Sequence, residues 1–198
     1  MNQAVEQILT AVAPLLADGG RAVVAIDGRC ASGKTTLAQA LQAQTGCNLL
    51  HMDDFYLPMD QRPADWTRRS AGNIDLTRFQ QEALDPARAG QPIRYRAYRC
   101  REGAFAPPVL LQPTALTVVE GSYSLHPALD SGYDLRVFLT VSPEEQRRRL
   151  LRRNPERYEA FLTTWIPLEE QYFTRENPQG RAQILLRTDA PQDQGGTL

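Results

Sequence analysis

Eight consecutive residues, Gly28-Arg29-Cys30-Ala31-Ser32-Gly33-Lys34-Thr35, follow the pattern glycine, four residues, then Gly-Lys-Ser/Thr. Set between a strand and a helix, such a loop holds a polyanion. Backbone N–H groups converge at the helix N-terminus, and the glycines let that backbone come close to its ligand. Gly28, Ala31, Ser32, Gly33 and Thr36 then belong to the cradle, Lys34 reaches the outer phosphates, and the Thr35 hydroxyl is an oxygen ligand for Mg²⁺. Composition singles out the same residue independently. Lys34 is the only lysine among 22 basic side chains, and a compact ammonium on a flexible stem is what arginine cannot replace.

Four further groups carry chemistry. His51-Met52-Asp53-Asp54-Phe55-Tyr56 puts two carboxylates at the end of an apolar run. A carboxylate held by rigid backbone suits the general base that takes a proton from an attacking hydroxyl, and neighbours on a strand face opposite ways, so one of the two looks into a cleft. Ala115–Val119 is an apolar run closed by Glu120-Gly121. The run Arg147, Arg148, Arg149, Arg152, Arg153 and Arg157 sets several guanidinium groups on one helix, where they either meet phosphoryl charge or form a solvated face paired with Glu144, Glu145 and Glu156. Arg94, Arg96, Arg99 and Arg101, interleaved with Tyr95 and Tyr98, are open to the same two readings, an anionic acceptor or surface charge.

The elements that must position these groups are written in the hydrophobic pattern. Val5, Ile8, Leu9, Val12, Leu15 and Leu16 recur at helical spacing, with Pro14 bending or weakening that helix and Gly19-Gly20 ending it. Strands are expected at Ala22–Asp27, Asn48–Met52, Ala115–Val119, Leu135–Val141 and Ala182–Leu186, and helices over 35–44, 76–84, 143–153 and 159–173. The third of these helices opens on Ser142-Pro143-Glu144-Glu145, an N-cap followed by proline in the first turn. Strand alternating with helix implies an α/β layer fold with a mainly parallel sheet. Residues 86–113, rich in proline, arginine and aromatics, read as an irregular lobe or hairpin, and the final ten residues as frayed. The aromatic stretch Trp165 to Phe173 reads as core packing or, alternatively, a lid hinge, and His126 as a helix cap or surface residue.

Composition sets the outer bounds. With 198 residues, 42% of them apolar, and 22 basic against 23 acidic side chains, the chain is expected to form one domain without the basic excess of a nucleic-acid carrier. No apolar stretch approaches the roughly 20 residues that span a bilayer. The first twenty residues lack a basic leader and carry Glu6, which reads as a cytoplasmic address. Cys30, Cys47 and Cys100 have no metal-site spacing and are expected as reduced thiols, Cys30 as filler in a turn. A single lysine also excludes the Asn-Lys-x-Asp guanine-reading element.

On Gly28 to Thr35, Asp53-Asp54-Phe55-Tyr56, Glu120-Gly121-Ser122-Tyr123 and the arginine helix from Arg147, the sequence resembles the uridine kinase and phosphoribulokinase group of P-loop kinases, which includes bacterial pantothenate kinases. The resemblance implies a three-layer P-loop fold with an arginine-bearing lid at about 147–160 and an acceptor-binding lobe at about 55–113. It implies ATP and Mg²⁺ as cofactors, Asp53 as base, Thr35 and Glu120 at the metal, and Arg149 and Arg153 beside Lys34 in catalysis. Asp54, Tyr56, Tyr98 and Arg99 fall in its acceptor pocket. Two of the group's elements depart here. Ala71-Gly72-Asn73-Ile74-Asp75 stands where a ribose-reading acid is expected, leaving Asn73 or Asp75 to substitute, and Arg99 replaces the acid of a Pro-x-Tyr-Asp element. The resulting expectation is an ATP-dependent kinase acting on a hydroxyl of a small metabolite, with a nucleoside as the first candidate. Its alternatives are a pantothenate or sugar-phosphate kinase and a non-catalytic ATP-binding regulatory module, with no nucleic acid or membrane partner and a homo-oligomer left open.

Overall fold

A computed structural model describes residues 1–189; beyond 189, the end expected to be frayed lies outside the described residues. Five parallel strands form the central sheet, in the order β2 (Asn48–His51), β7 (Leu116–Glu120), β1 (Ala22–Gly28), β8 (Leu135–Thr140), β9 (Ile184–Arg187). β1 is buried along its whole length, as a central strand covered on both faces must be. Its alternate residues divide between two cores. Ala22, Val24 and Ile26 pack with α1 (Asn2–Leu16) and α2 (Lys34–Thr45), while Val23 and Ala25 pack with the opposite layer, which includes Phe55, Phe79 and Tyr172. The result is three layers, helix, sheet, helix.

The expected elements appear with shifted ends. The strand expected to run to Met52 stops at His51, and Met52–Phe55 forms a 3₁₀ turn, so Asp53 and Asp54 diverge through a tight turn rather than through strand pleating. The last strand starts two residues later than expected, at Ile184, because Pro178–Arg181 forms a short helix, α8, ahead of it. Residues 93–111 form two nested antiparallel pairs, β3 (Ile93–Tyr95) with β6 (Val109–Leu111) and, inside them, β4 (Tyr98–Arg99) with β5 (Ala104–Phe105).

Two helices are longer than their patterns suggest, for one shared reason. α3 (Leu76–Phe79) continues through a π turn, Gln80–Leu84, into α4 (Asp85–Ala89), and α6 (Tyr158–Ala160) continues through a π turn, Phe161–Trp165, into α7 (Ile166–Glu176). Each wide turn ends two residues before a proline, Pro86 or Pro167. The residue ahead of each proline donates five positions back, Asp85 to Gln80 and Ile166 to Phe161. Proline has no N–H and its ring strikes the carbonyl four residues earlier; widening that turn relieves the clash without ending the helix. α5 (Pro143–Arg153) starts as its cap predicts, with the Glu145 N–H donating to Ser142 Oγ. Among the described residues no helix is long and apolar enough to cross a membrane.

Candidate active site

The strand register brings the chemistry together. His51 pairs with Glu120, and Glu120 with Ile26, so the ends of β2, β7 and β1 lie side by side at the carboxyl edge of the sheet, where open α/β folds place ligands. From β1 the chain turns into the phosphate-binding loop. Gly28 is required there by space: a Cβ would sit 2.0 Å from the Leu139 carbonyl oxygen. Gly33 (φ 97°) and Ala31 (φ 59°) take left-handed backbone, and an alanine held there is strained, a feature that gathers at ligand clamps. The loop ends on Gly33 as N-cap of α2, so the helix presents its free N–H groups and positive dipole end to a cavity of about 450 Å³.

Around that cavity lie Ala31, Gly33, Lys34, Thr35 and Thr36 of the loop, together with Asp53, Tyr56, Tyr98, Glu120 and Arg153. Lys34 is buried and folded back, its Nζ donating to the carbonyls of Gly28 (2.6 Å) and Arg29 (3.0 Å). Thr35 Oγ1 donates to the Glu120 carboxylate at 3.1 Å, and His51 Nδ1 lies 2.6 Å from Glu120 Oε1. Donation of a hydrogen bond to Glu120 raises the His51 pKa against the lowering effect of burial. Asp53 is exposed within the cavity, with the protein wall close around it. That enclosure, and then the Glu120 carboxylate, push its pKa up; Lys34 and the Tyr56 hydroxyl pull it back.

Not every residue expected here reaches the cavity. Asp54 turns into the protein, accepting from the Tyr95 hydroxyl at 3.0 Å and from Arg99 Nη1 at 3.2 Å, so Asp54 and Arg99 satisfy each other outside it. Ser32 is fully buried beneath the loop. Arg149 braces the loop from below, donating to the Ala31 carbonyl (3.2 Å) and Thr188 Oγ1 (3.1 Å) while paired with Glu145. Arg153 and Arg157 line the cavity instead. Of the hairpin arginines, Arg96 donates to the carbonyls of Phe105 and Ala106. His126 caps a 3₁₀ turn, accepting from the Ala128 N–H. Cys30 is more than turn filler: it borders the cavity, its thiol pushed up to about 12 by burial and then by Glu169.

Sequence reasoning passed over several cavity residues. Trp165 and Glu169 come from the stretch read as core packing or a lid hinge, and Phe161 from the helical segment just before it. Arg62 and Met59 carry no motif. Asn73 is 2% exposed, borders the cavity and has no partner for Nδ2 among the described residues; its only sequence signal was its place in the departing segment. Asp27, fully buried at the end of β1, accepts from the N–H groups of Gly28 (2.6 Å) and Leu125 (2.9 Å) and from the Tyr172 hydroxyl (2.8 Å). Its strand placement gave no hint of that role.

Known proteins bear on this arrangement at two levels. In sequence, the chain is 30% identical over 135 residues to nicotinamide riboside kinase 2 of Homo sapiens and 32% identical over 136 residues to that of Mus musculus, matches that take in 67% and 64% of this chain. They span 57% and 65% of those relatives, less than two thirds of either. In structure, a possible uridine kinase from Bacillus stearothermophilus superposes with a TM-score of 0.67 at 20% identity, covering 93% of this chain and 98% of the other. The structural likeness shows a shared fold. Phosphoribulokinase from Rhodobacter spheroides extends that fold group, with a TM-score of 0.56 at 14% identity over 84% of this chain and 70% of the other. No protein-family model matches the chain. Within this fold, the sheet edge bearing Asp53, Glu120 and the Gly28–Thr35 loop is the candidate active site.

Proposed function

We propose that the chain is an ATP-dependent kinase that transfers the γ-phosphate to a hydroxyl of a small metabolite, a nucleoside being the best fit. One observation carries this reading: the Asp53 carboxylate opens onto the same cavity as Lys34 and the N-terminus of α2, so a hydroxyl seated between them meets a proton acceptor on one side and a phosphate cradle on the other. The raised pKa of Asp53 suits a base that must take a proton. Lys34 swings from the Gly28 and Arg29 carbonyls to the outer phosphates, and Arg153 and Arg157 meet the charge on the transferring group from the lid side.

Thr35 and Glu120 offer a hydroxyl and a carboxylate in contact, a hard oxygen donor set that fits Mg²⁺ arriving with nucleotide phosphates and water as its remaining ligands. When bound, that ion neutralises charge on the β- and γ-phosphates. Tyr56, Tyr98, Phe161 and Trp165 give the acceptor end flat apolar walls, suited to a planar base beside a sugar. The similarity to nicotinamide riboside kinases and to a possible uridine kinase supports a nucleoside over pantothenate or a sugar phosphate. So does the hairpin, where Arg99 is committed to Asp54 and Arg96 to backbone carbonyls. A single kinase domain, with a lid at about 147–160, an acceptor lobe at about 55–113 and a cytoplasmic address, belongs to the same proposal.

ADP release measured with ATP and Mg²⁺ against uridine, cytidine, nicotinamide riboside, pantothenate, ribulose 5-phosphate and water alone tests it. Turnover that depends on a nucleoside and falls about 10²–10⁴-fold in Asp53→Asn, with nucleotide binding retained, is the expected result. Nucleotide binding with no acceptor-dependent turnover across the panel overturns it.

A further inference from the structure

Glu169 has no place in the chemistry above, yet its carboxylate is buried at the cavity, 5% exposed, with no ion pair among the described residues. A buried carboxylate beside a site for polyphosphate is costly unless its hydrogen bonds hold something in place. It has two. Oε2 accepts from the Cys30 N–H at 2.9 Å, inside the phosphate-binding loop, and Oε1 accepts from the Ser122 hydroxyl at 2.6 Å, just beyond Glu120. The neighbouring side chains of α7 grip the same stretch, Glu170 pairing with Arg29 and Tyr172 donating to Asp27.

One helical turn upstream, on the same rod, Trp165 forms part of the acceptor wall, with Phe161 beyond it. The π turn leaves the rod continuous, so a shift at Trp165 is carried to Glu169 as movement of a packed element. Cys30 and Ser122 flank the two halves of the phosphate and metal site, and among the described residues Glu169 is the one side chain bonded to both.

We propose that Glu169 is a positioning residue that couples the acceptor wall to the phosphate-binding loop, so that nucleotide seated in the loop is felt at Trp165 and an acceptor seated on Trp165 is felt at Cys30. This rests on the phosphate-loop reading of the site given above. It assigns Glu169 no contact with the reacting atoms.

The chain has two tryptophans, so full-length protein carrying Trp66→Phe reports on Trp165 alone. Magnesium with a non-hydrolysable ATP analogue is titrated while Trp165 emission and heat of binding are followed separately. The parent is expected to bind and to shift its emission in proportion to occupancy. Glu169→Gln, which keeps the shape but cannot accept both bonds, is expected to bind the analogue within a few-fold of the parent while losing the shift. Ser122→Ala, which removes one bond, is expected to give a partial shift. Circular dichroism confirms the fold, and if Glu169→Gln does not fold, Ser122→Ala decides. Binding in the parent without any emission change, or an undiminished shift in either variant, overturns the coupling and leaves the kinase reading intact. Absence of binding in the parent removes the phosphate-loop reading and this inference with it.

Discussion

The two ends of the cavity are built in different ways. The proposed phosphate end comes from one contiguous stretch, Gly28 to Thr36, whose free groups are chiefly backbone N–H donors set by a strand, a tight loop and a helix N-terminus. The proposed acceptor end is assembled from cavity side chains widely separated in the chain, among them Asp53, Tyr56, Asn73, Tyr98 and Trp165. A backbone cradle reads charge and is indifferent to what else the ligand carries, whereas a mosaic of side chains reads shape. Chemistry common to kinases can therefore persist at one end while the acceptor is changed at the other.

Substitutions that fall on one end and spare the other put this contrast at risk. The largest effect is expected at the junction, where Asp53→Asn cuts turnover about 10²–10⁴-fold with analogue binding retained in calorimetry. At the phosphate end, Lys34→Ala is expected to lower turnover roughly 10²–10³-fold and to weaken analogue binding, leaving acceptor affinity near its starting value. A drop in acceptor affinity as large as the drop in nucleotide affinity would erase the distinction. Beneath both ends, Tyr172→Phe strips a hydroxyl from the buried Asp27 carboxylate and is expected to cost about 1–3 kcal/mol, a Tm fall of roughly 2–12 °C for a chain of this size.

Asp27 also gives the stability a pH dependence whose sign is fixed. Burial, only partly offset by the Leu125 N–H, Lys34 and Tyr172, raises its pKa from the ordinary 3.8 to about 6. The folded state then holds the proton more tightly than the unfolded chain. The contribution of this group is fully present below about pH 4 and is lost as the pH rises through about 6. Urea titrations of the parent and of Asp27→Asn across pH 4–7 are expected to differ in slope in that direction. The smallest effect is expected at Arg148→Ala, which removes an exposed pair with Glu145 on the outer face of α5 and should leave Tm and turnover within replicate scatter.

Legibility followed the same division. The phosphate-binding loop was readable because its geometry is local: glycine spacing, one lysine and the flanking hydrophobic pattern are all adjacent in sequence. The layered α/β fold was readable from alternation, and the start of α5 from its cap. Element ends were less so. The turn at Met52–Phe55 and the two π turns depend on packing and on prolines whose effect reaches several residues upstream. Asp54 and Arg99 looked like acceptor residues because both stand in motif positions, and nothing in the sequence says that they neutralise each other across 45 positions. Arg149 and Arg153 sit on one helix four residues apart, yet one braces the loop from beneath and the other borders the cavity. Phe161, Trp165 and Glu169 were hidden because helical periodicity reports that a face is covered, not whether protein or ligand covers it.

The sequence by itself determined the order of the main strands and helices, the glycine-bearing loop between β1 and α2 and the presence of a carboxylate just past β2, because each of these follows from neighbours along the chain. Only the tertiary structure decided which carboxylate faces the cavity, which arginines are already paired, and that Glu169 and Asp27 lie against the loop. Those facts depend on distances between residues up to 145 positions apart, which are set by how the layers pack and not by any local pattern.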